Sequence, residues 1–333
     1  MIRGPRFDGP TTADVERDRL RTVSEGEPMN DRGITVIIPT NRGGRYLDEA
    51  VASVRAQTHP VQEILLVDDG SPAPGLGDVA SRLGLRMIRQ RASGLSVARN
   101  TGAQEATHAW IAYLDDDDVW HPDRLAEQLR ALAAAPDAVA VFSGGWYMDA
   151  EGRVFGEGWG GPRATSAQMI SYDVVPPRIT TLLIRRESYL AVGGCRSEME
   201  PAEDNDLIQR LLMTGEFAAV DRQLVGYRRH GGNITQRGLA GRRANRRVLT
   251  DLIEATKGDP TPLALLRQHR RAFRRYAAAD NVGELIDAVR GKDLPYALAL
   301  TGWGIGRVPI ESIGAVFDRL RLRQHRRASP PQA

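Results

Sequence analysis

The stretch Trp110-Ile111-Ala112-Tyr113-Leu114-Asp115-Asp116-Asp117-Asp118 runs from five apolar residues straight into four carboxylates. A short apolar run of this kind suits a strand buried on both faces, as in a parallel sheet. The aspartates cannot follow it into a core, because a buried carboxylate needs a partner or a cation. The strand therefore opens into a polar loop at its carboxyl end. Upstream the same pattern occurs twice. Ile34 to Ile38 ends at Pro39-Thr40-Asn41, and Ile64 to Val67 ends at Asp68-Asp69-Gly70-Ser71.

Helical spacing separates these strands. Leu47, Ala50, Val51 and Val54 form one apolar face, and Pro60 stops that helix. Leu85 to Ile88 reads as a third strand and Leu95 to Ala106 as a further helix. The alternation predicts an α/β fold: a Rossmann-like, mostly parallel sheet with helices on both faces. Ligands of such sheets bind at the carboxyl ends of the strands. Three polar loops should then meet in one crevice.

After a helix over Pro122 to Ala135 the pattern becomes mixed. Val139 to Phe142 reads as a strand, Asp149-Ala150-Glu151-Gly152 as a turn and Gly156 to Gly161 as a mobile loop. Ile179 to Ile184 is a strand, Asp204 to Met213 a helix, and Leu224 to Tyr227 a late strand. Beyond Arg237 the chain turns helical and basic, with Arg242, Arg243, Arg246, Arg247, Arg270, Arg271, Arg274 and Arg275, then Arg319 to Arg327.

Bulk properties narrow the classes. The chain has 333 residues, 41% hydrophobic and 26% charged, with a net charge of +3. No apolar stretch approaches the roughly 20 residues of a membrane-spanning helix. The single cysteine, Cys195, excludes an intramolecular disulfide and a cysteine-rich zinc site; it reads as a buried filler and fits a reducing cytoplasm. Met1 to Asp31 is polar without an apolar core, which reads as a disordered extension rather than a secretory signal. Arginines without interleaved aromatics argue against specific nucleic-acid recognition. The apolar run from Leu298 to Phe317 followed by arginines suits helices packed on the core, or peripheral contact with an anionic membrane.

The four aspartates are either a solvated acidic loop or a site for Mg²⁺ or Mn²⁺, whose preference is for hard oxygen ligands. Alternation along a strand would put Asp115 and Asp117 on one face. Taken together, five blocks resemble family 2 glycosyltransferases of the GT-A fold, over Ile34 to Thr235. These are Val36 to Asn41, Val67 to Ser71, Gly94 to Gly102, Tyr113 to Trp120 and Glu203 to Leu207. The resemblance implies that Pro39, Thr40, Asn41 and Asp69 hold the nucleotide, with Arg99 near the diphosphate. Asp115, Asp116 and Asp117 match the family's Asp-x-Asp element, whose last carboxylate binds the metal. Read physically, Asp69 can accept the imide N–H of uracil or thymine, while Asp68 and Asp69 can equally cap the following turn.

Glu203 and Asp204 open a helix, where acidic residues offset the dipole in any case. The resemblance favours Asp204 as the base that deprotonates the acceptor hydroxyl, with Glu203 or Asp206 orienting its surroundings, and hence transfer with inversion. In some relatives a histidine at the position of His230 joins the metal; a surface-loop histidine is the other reading.

The domain expectation is an extension over 1–31, a GT-A domain over 32–237 divided into a nucleotide-sugar half (32–145) and an acceptor half (146–237), and a basic helical region over 238–333. The acceptor could be a carbohydrate, a lipid-linked precursor or a small molecule. Three rival readings fit the sequence less well. A dehydrogenase would need Gly-x-Gly-x-x-Gly where Pro39-Thr40-Asn41-Arg42-Gly43-Gly44 stands. A sugar-phosphate nucleotidyltransferase would want a glycine-rich basic loop there. A protein that only binds nucleotide sugars would not need both Asp117 and Asp204.

Overall fold

All seven residues of β1 (Ile34–Thr40) are buried, because the strand has neighbours on both edges and helices over both faces. It pairs in parallel with β2 (Glu63–Asp69) and β4 (Trp110–Tyr113), and β2 pairs in parallel with β3 (Arg86–Gln90). The computed structural model describes residues 33–72, 75–231 and 238–307. The expected extension over 1–31, residues 232–237, and the chain beyond 307 with Arg319 to Arg327 lie outside the described residues.

Alternate residues of each strand face opposite sides. On one side Val36, Ile38, Leu66 and Ala112 pack with Leu47, Val51 and Val54 of α1 (Leu47–Arg55) and with Leu125 and Leu129 of α4 (Arg124–Ala133); Leu76 and Ala80 of α2 (Leu76–Arg82) join them. On the other side Ile37, Leu65, Val67 and Ile111 meet Ala98 and Ala103 of α3 (Leu95–Glu105). The helical spacing of Leu47, Ala50, Val51 and Val54 is thus the spacing of buried residues.

The second half adds β5 (Val119–Trp120), β6 (Ala140–Met148), β7 (Val154–Trp159), β8 (Leu182–Arg185) and β9 (Phe217–Arg228). Among the described residues the sheet order is β3-β2-β1-β4-β8-β6-β9-β5, with β7 on β6. β8 runs antiparallel between β4 and β6, and β6 pairs in parallel with β9. Short helices α5 (Ser166–Ile170) and α6 (Arg186–Ala191) and the longer α7 (Glu203–Leu212) cover this half.

Two local expectations are corrected. Gly156 to Gly161 is not a mobile loop: most of it is the end of β7, paired with β6. The glycines serve close approach, since a Cβ on Gly158 would lie 2.4 Å from the Gly145 carbonyl oxygen. Asp115 and Asp117 do not alternate along a strand either. β4 ends at Tyr113, and the Asp118 amide donates to the Asp115 carbonyl at 3.1 Å, closing a turn.

The basic C-terminal region consists of α8 (Gly238–Ala255), α9 (Pro260–Arg290) and α10 (Leu294–Arg307). Val248, Leu249, Leu252 and Leu266 enter the core under the sheet, so α8 and the start of α9 are packed against the body of the fold. Leu239, Ala277, Ala278, Leu300 and Trp303 close a smaller cluster. Not all its arginines are solvated: Arg242 is 4% exposed and pairs with Asp280 and Glu284. No described helix is long and apolar enough to cross a membrane.

Candidate active site

The carboxyl ends of β1, β2 and β4 bring the sequence-predicted residues to one edge of the sheet. Pro39 is buried within β1 beside Val67, while Asn41 just past the strand is exposed. Thr40 Oγ1 donates to Asp116 and accepts from the Gly43 amide at 3.0 Å, tying the first loop to the aspartate turn.

Asp68 and Asp69 act as loop clamps. Asp68 Oδ1 accepts from the Ser71 amide at 2.7 Å. Asp69 accepts from Gln90 Nε2 and the Ser93 amide at 2.8 Å each, and from the Gly94 amide at 2.9 Å. Gly70, at φ +71°, makes room for this: a Cβ there would stand 2.5 Å from the Ala92 nitrogen. Asp69 is consequently only 7% exposed. The turn-capping reading of the pair is what this geometry displays.

Arg99, on α3 and 3% exposed, donates to Glu203 at 2.8 Å and to Asp115 at 3.3 Å. Burial disfavours its charge, but Asp115, Glu203 and Asp204 outweigh that and hold it protonated. Arg99 thereby joins the aspartate turn to the first residues of α7. The Glu203 carboxyl is pushed up to about 7, first by burial and then by Asp204, with Arg99 opposing. Asp204 beside it is partly exposed, and its Oδ1 accepts from the Asn205 amide at 2.7 Å. Asp206 is fully buried between Arg196 and Arg210, which assigns it to holding α7 in place.

Asp117 Oδ2 lies 2.9 Å from His230 Nε2. Burial, then Asp115 and Asp116, push this carboxyl up to about 6. The carboxylate oxygen suits Mn²⁺ or Mg²⁺ and the imidazole nitrogen a transition ion, so the pair fits Mn²⁺ better than Mg²⁺. Among the described residues no group of three or more His, Cys, Asp or Glu could hold a metal. A cation here would complete its shell with ligand oxygens and water.

Supporting residues hold the aspartate turn and His230 in place. Asp118 is 1% exposed; it accepts from the Arg228 amide at 2.9 Å and from the Thr180 hydroxyl at 3.4 Å, anchoring the aspartate turn. Arg228, also 1% exposed, donates from Nε to the Asp117 carbonyl at 2.8 Å and pairs with Glu49 at 2.5 Å. Its guanidinium lies 4.3 Å from the Tyr46 ring centroid, and Tyr46 stacks on His230 at 5.5 Å. Arg228 lies two residues before His230, but its partners Glu49 and Tyr46 carry no local pattern. Cys195 is a buried filler against Tyr189, and burial pushes its thiol up to about 11.

Both the sequence and the fold resemble those of known proteins. Residues 35–192 match the family model described as Glycosyl transferase family 2. An uncharacterized protein of Sinorhizobium fredii is 29% identical over 252 residues, 70% of this chain and 26% of its own. The chain thus spans about a quarter of that relative's length. Among solved structures, the mannosyltransferase PcManGT of Pyrobaculum calidifontis in complex with GDP-Man and Mn²⁺ superposes with a TM-score of 0.57 at 16% identity, covering 91% of this chain and 92% of its own. Staphylococcus aureus TarS 1-349 in complex with UDP-GlcNAc gives a TM-score of 0.55 at 16% identity, covering 82% and 92%. These likenesses establish the GT-A architecture.

Proposed function

We propose that this chain, whose residues 35–192 match the family 2 glycosyltransferase model, transfers a sugar from a nucleoside diphosphate to an acceptor hydroxyl with inversion. The observation that supports this best is the linked set beside the strand ends, Asp117 against His230 and Arg99 bonded to Asp115 and acted on by Asp204. Asn41 and the clamped loops around Thr40 and Asp69 border the nucleotide, with UDP or dTDP favoured where the second lone pair of Asp69 Oδ2, which among the described residues takes only the Gly94 amide, meets the imide N–H. Arg99 supplies fixed positive charge near the diphosphate. Asp117 and His230 would hold the divalent cation, which when bound offsets charge growing on the leaving diphosphate.

In the reaction the acceptor oxygen attacks the anomeric carbon. The bond from that carbon to the phosphate oxygen breaks, and its electron pair leaves with the diphosphate. The hydroxyl proton passes to Asp204, the most exposed carboxylate of the Glu203–Asp204–Asp206 set. Buried Glu203 keeps Asp204 placed through Arg99. A single displacement turns an α-linked donor into a β-linked product.

Within this reading 32–237 is the GT-A domain and 238–333 an appended helical region. It also assumes a cytoplasmic location, with the exposed Arg243, Arg270, Arg271 and Arg275 of α8 and α9 facing anionic lipid. Failure to sediment with anionic vesicles at low salt would remove the lipid contact. The function is tested by titrating the protein calorimetrically with UDP, dTDP and GDP, in Mn²⁺ and in EDTA. Metal-dependent micromolar binding of one nucleotide is expected. No binding to any of the three would leave the crevice without a donor and sink the proposal.

A further inference from the structure

Arg178 sits in a cage of aromatic rings. Its guanidinium carbon is 4.3 Å from the ring centroid of Trp159, 5.1 Å from that of Tyr227 and 5.5 Å from that of Tyr147. One amino group donates to the Tyr147 hydroxyl at 2.9 Å. Arg229 lies over the same ring at 4.6 Å. Among the described residues neither arginine has a carboxylate partner, whereas Arg99, Arg196, Arg210, Arg228 and Arg242 each pair with one. Rings hold a guanidinium by its face and leave in-plane N–H groups for an oxyanion.

The cluster is bonded to the crevice. Arg178 stands two residues before Thr180, whose hydroxyl reaches Asp118. Tyr227 precedes Arg228, whose amide reaches the same carboxylate. Arg229 precedes His230. Because strand neighbours point to opposite faces, Tyr227 and Arg228 diverge: Arg228 faces Glu49 and Tyr46, and Tyr227 faces Tyr147 at 6.2 Å. The rings come from β6, β7 and β9, not from the strands that end at Thr40 and Asp69. Trp159 and the 40%-exposed Phe155 extend the apolar surface beside Tyr147.

We propose that Arg178 and Arg229, framed by Tyr147, Trp159 and Tyr227, form a subsite for an acceptor sugar bearing an oxyanion, either phosphate or carboxylate. This rests on the glycosyltransferase reading for the word acceptor. The rings offer a face to the apolar side of a sugar, and the two guanidiniums take the charged substituent through paired N–H···O bonds. The site therefore selects anionic over neutral acceptors.

The test follows Trp fluorescence while the protein, saturated with UDP and Mn²⁺, is titrated with glucose 1-phosphate, glucuronic acid and methyl glucoside. Saturable binding of at least one anionic sugar is expected, at least tenfold tighter than methyl glucoside. Arg229→Gln and Arg178→Lys should each weaken it by tenfold or more, with UDP binding unchanged; Arg178→Lys keeps the caged charge but loses the fork. Preference for glucose 1-phosphate identifies a phosphorylated acceptor, and preference for glucuronic acid a uronic one. Equal binding of the neutral sugar, no binding of either anionic sugar, or unaltered binding by both variants overturns the subsite. A protein that binds the anionic sugar through these arginines yet never binds a nucleotide would overturn the transferase reading alone.

Discussion

His230 Nε2 and Asp117 Oδ2 lie 2.9 Å apart although 113 residues separate them in the chain. The turn after β4 and the end of β9 converge because Arg228 binds both: its side chain holds the Asp117 carbonyl and its amide the Asp118 carboxylate. If the two groups share one cation, each should matter only when metal is present. Asp117→Ala is expected to lower UDP affinity in Mn²⁺ by about a hundredfold and His230→Ala by about tenfold, by analogy with losses seen at metal sites. Affinity in EDTA should not change. Calorimetric titration reads both, and a Mn²⁺ affinity untouched in either variant takes that residue out of the site.

Asp204 is partly exposed, while its neighbours Glu203 and Asp206 are tied into buried ion pairs. Asp204→Asn keeps the shape and its link to the Asn205 amide but cannot take up a proton. Turnover should fall by about 10²–10⁴, the usual contribution of a general base, with nucleotide affinity unchanged. Single-turnover sugar transfer measures this once an acceptor is in hand. Near-normal turnover would move the base elsewhere.

How far these features were legible depends on how local their causes are. β1, β2 and β4 announce themselves, because buried parallel strands are apolar without a break and stop where polar loops begin. α1 was readable from the helical spacing of Leu47, Ala50, Val51 and Val54. β7 was not: its glycines have a loop composition, and only the approach of the Gly145 carbonyl to Gly158 makes them a strand. β9 was seen only as Leu224 to Tyr227, since Asp221, Arg222 and Gln223 are exposed and break the apolar pattern. Within the site the carboxylates were evident from sequence. The arginines that position them were harder, because Arg228 acquires meaning only when Glu49 and Tyr46 are beside it. Asp69 shows a limit of another kind: one motif serves a binding reading and a capping one, and here its bonds run to the loop.

His269 on α9 is 2% exposed and stacks on Tyr172 at 4.5 Å. Burial pulls its imidazole down to about 4, against a backbone hydrogen bond with Ile170. The folded protein thus holds this histidine neutral where the unfolded chain, titrating near 6.5, would protonate it. The stability it contributes is fully present above about pH 6.5 and is lost as pH falls towards 4, by up to about 3 kcal/mol. Urea unfolding between pH 4 and 7 should show this slope, and His269→Gln should flatten it. An identical slope in the variant would assign the loss to other groups.

Gly102 lies where α3 crosses β1 and β2. A Cβ there would stand 2.4 Å from Ile37 Cγ2 and 3.3 Å from Val67 Cγ2. Both neighbours are fully buried, so neither side chain can move aside and the helix must lift. Gly102→Ala should cost about 1–3 kcal/mol despite alanine's better helix propensity. The same helix carries Arg99, which reaches Asp115 and Glu203 from its buried face. A lift of a few tenths of an ångström lengthens both contacts. Nucleotide affinity should therefore weaken in Gly102→Ala even at temperatures where the variant is fully folded. Thermal unfolding with UDP titration separates the two effects: lost stability with unchanged affinity would mean that Arg99 is held by its partners and not by the packing of α3.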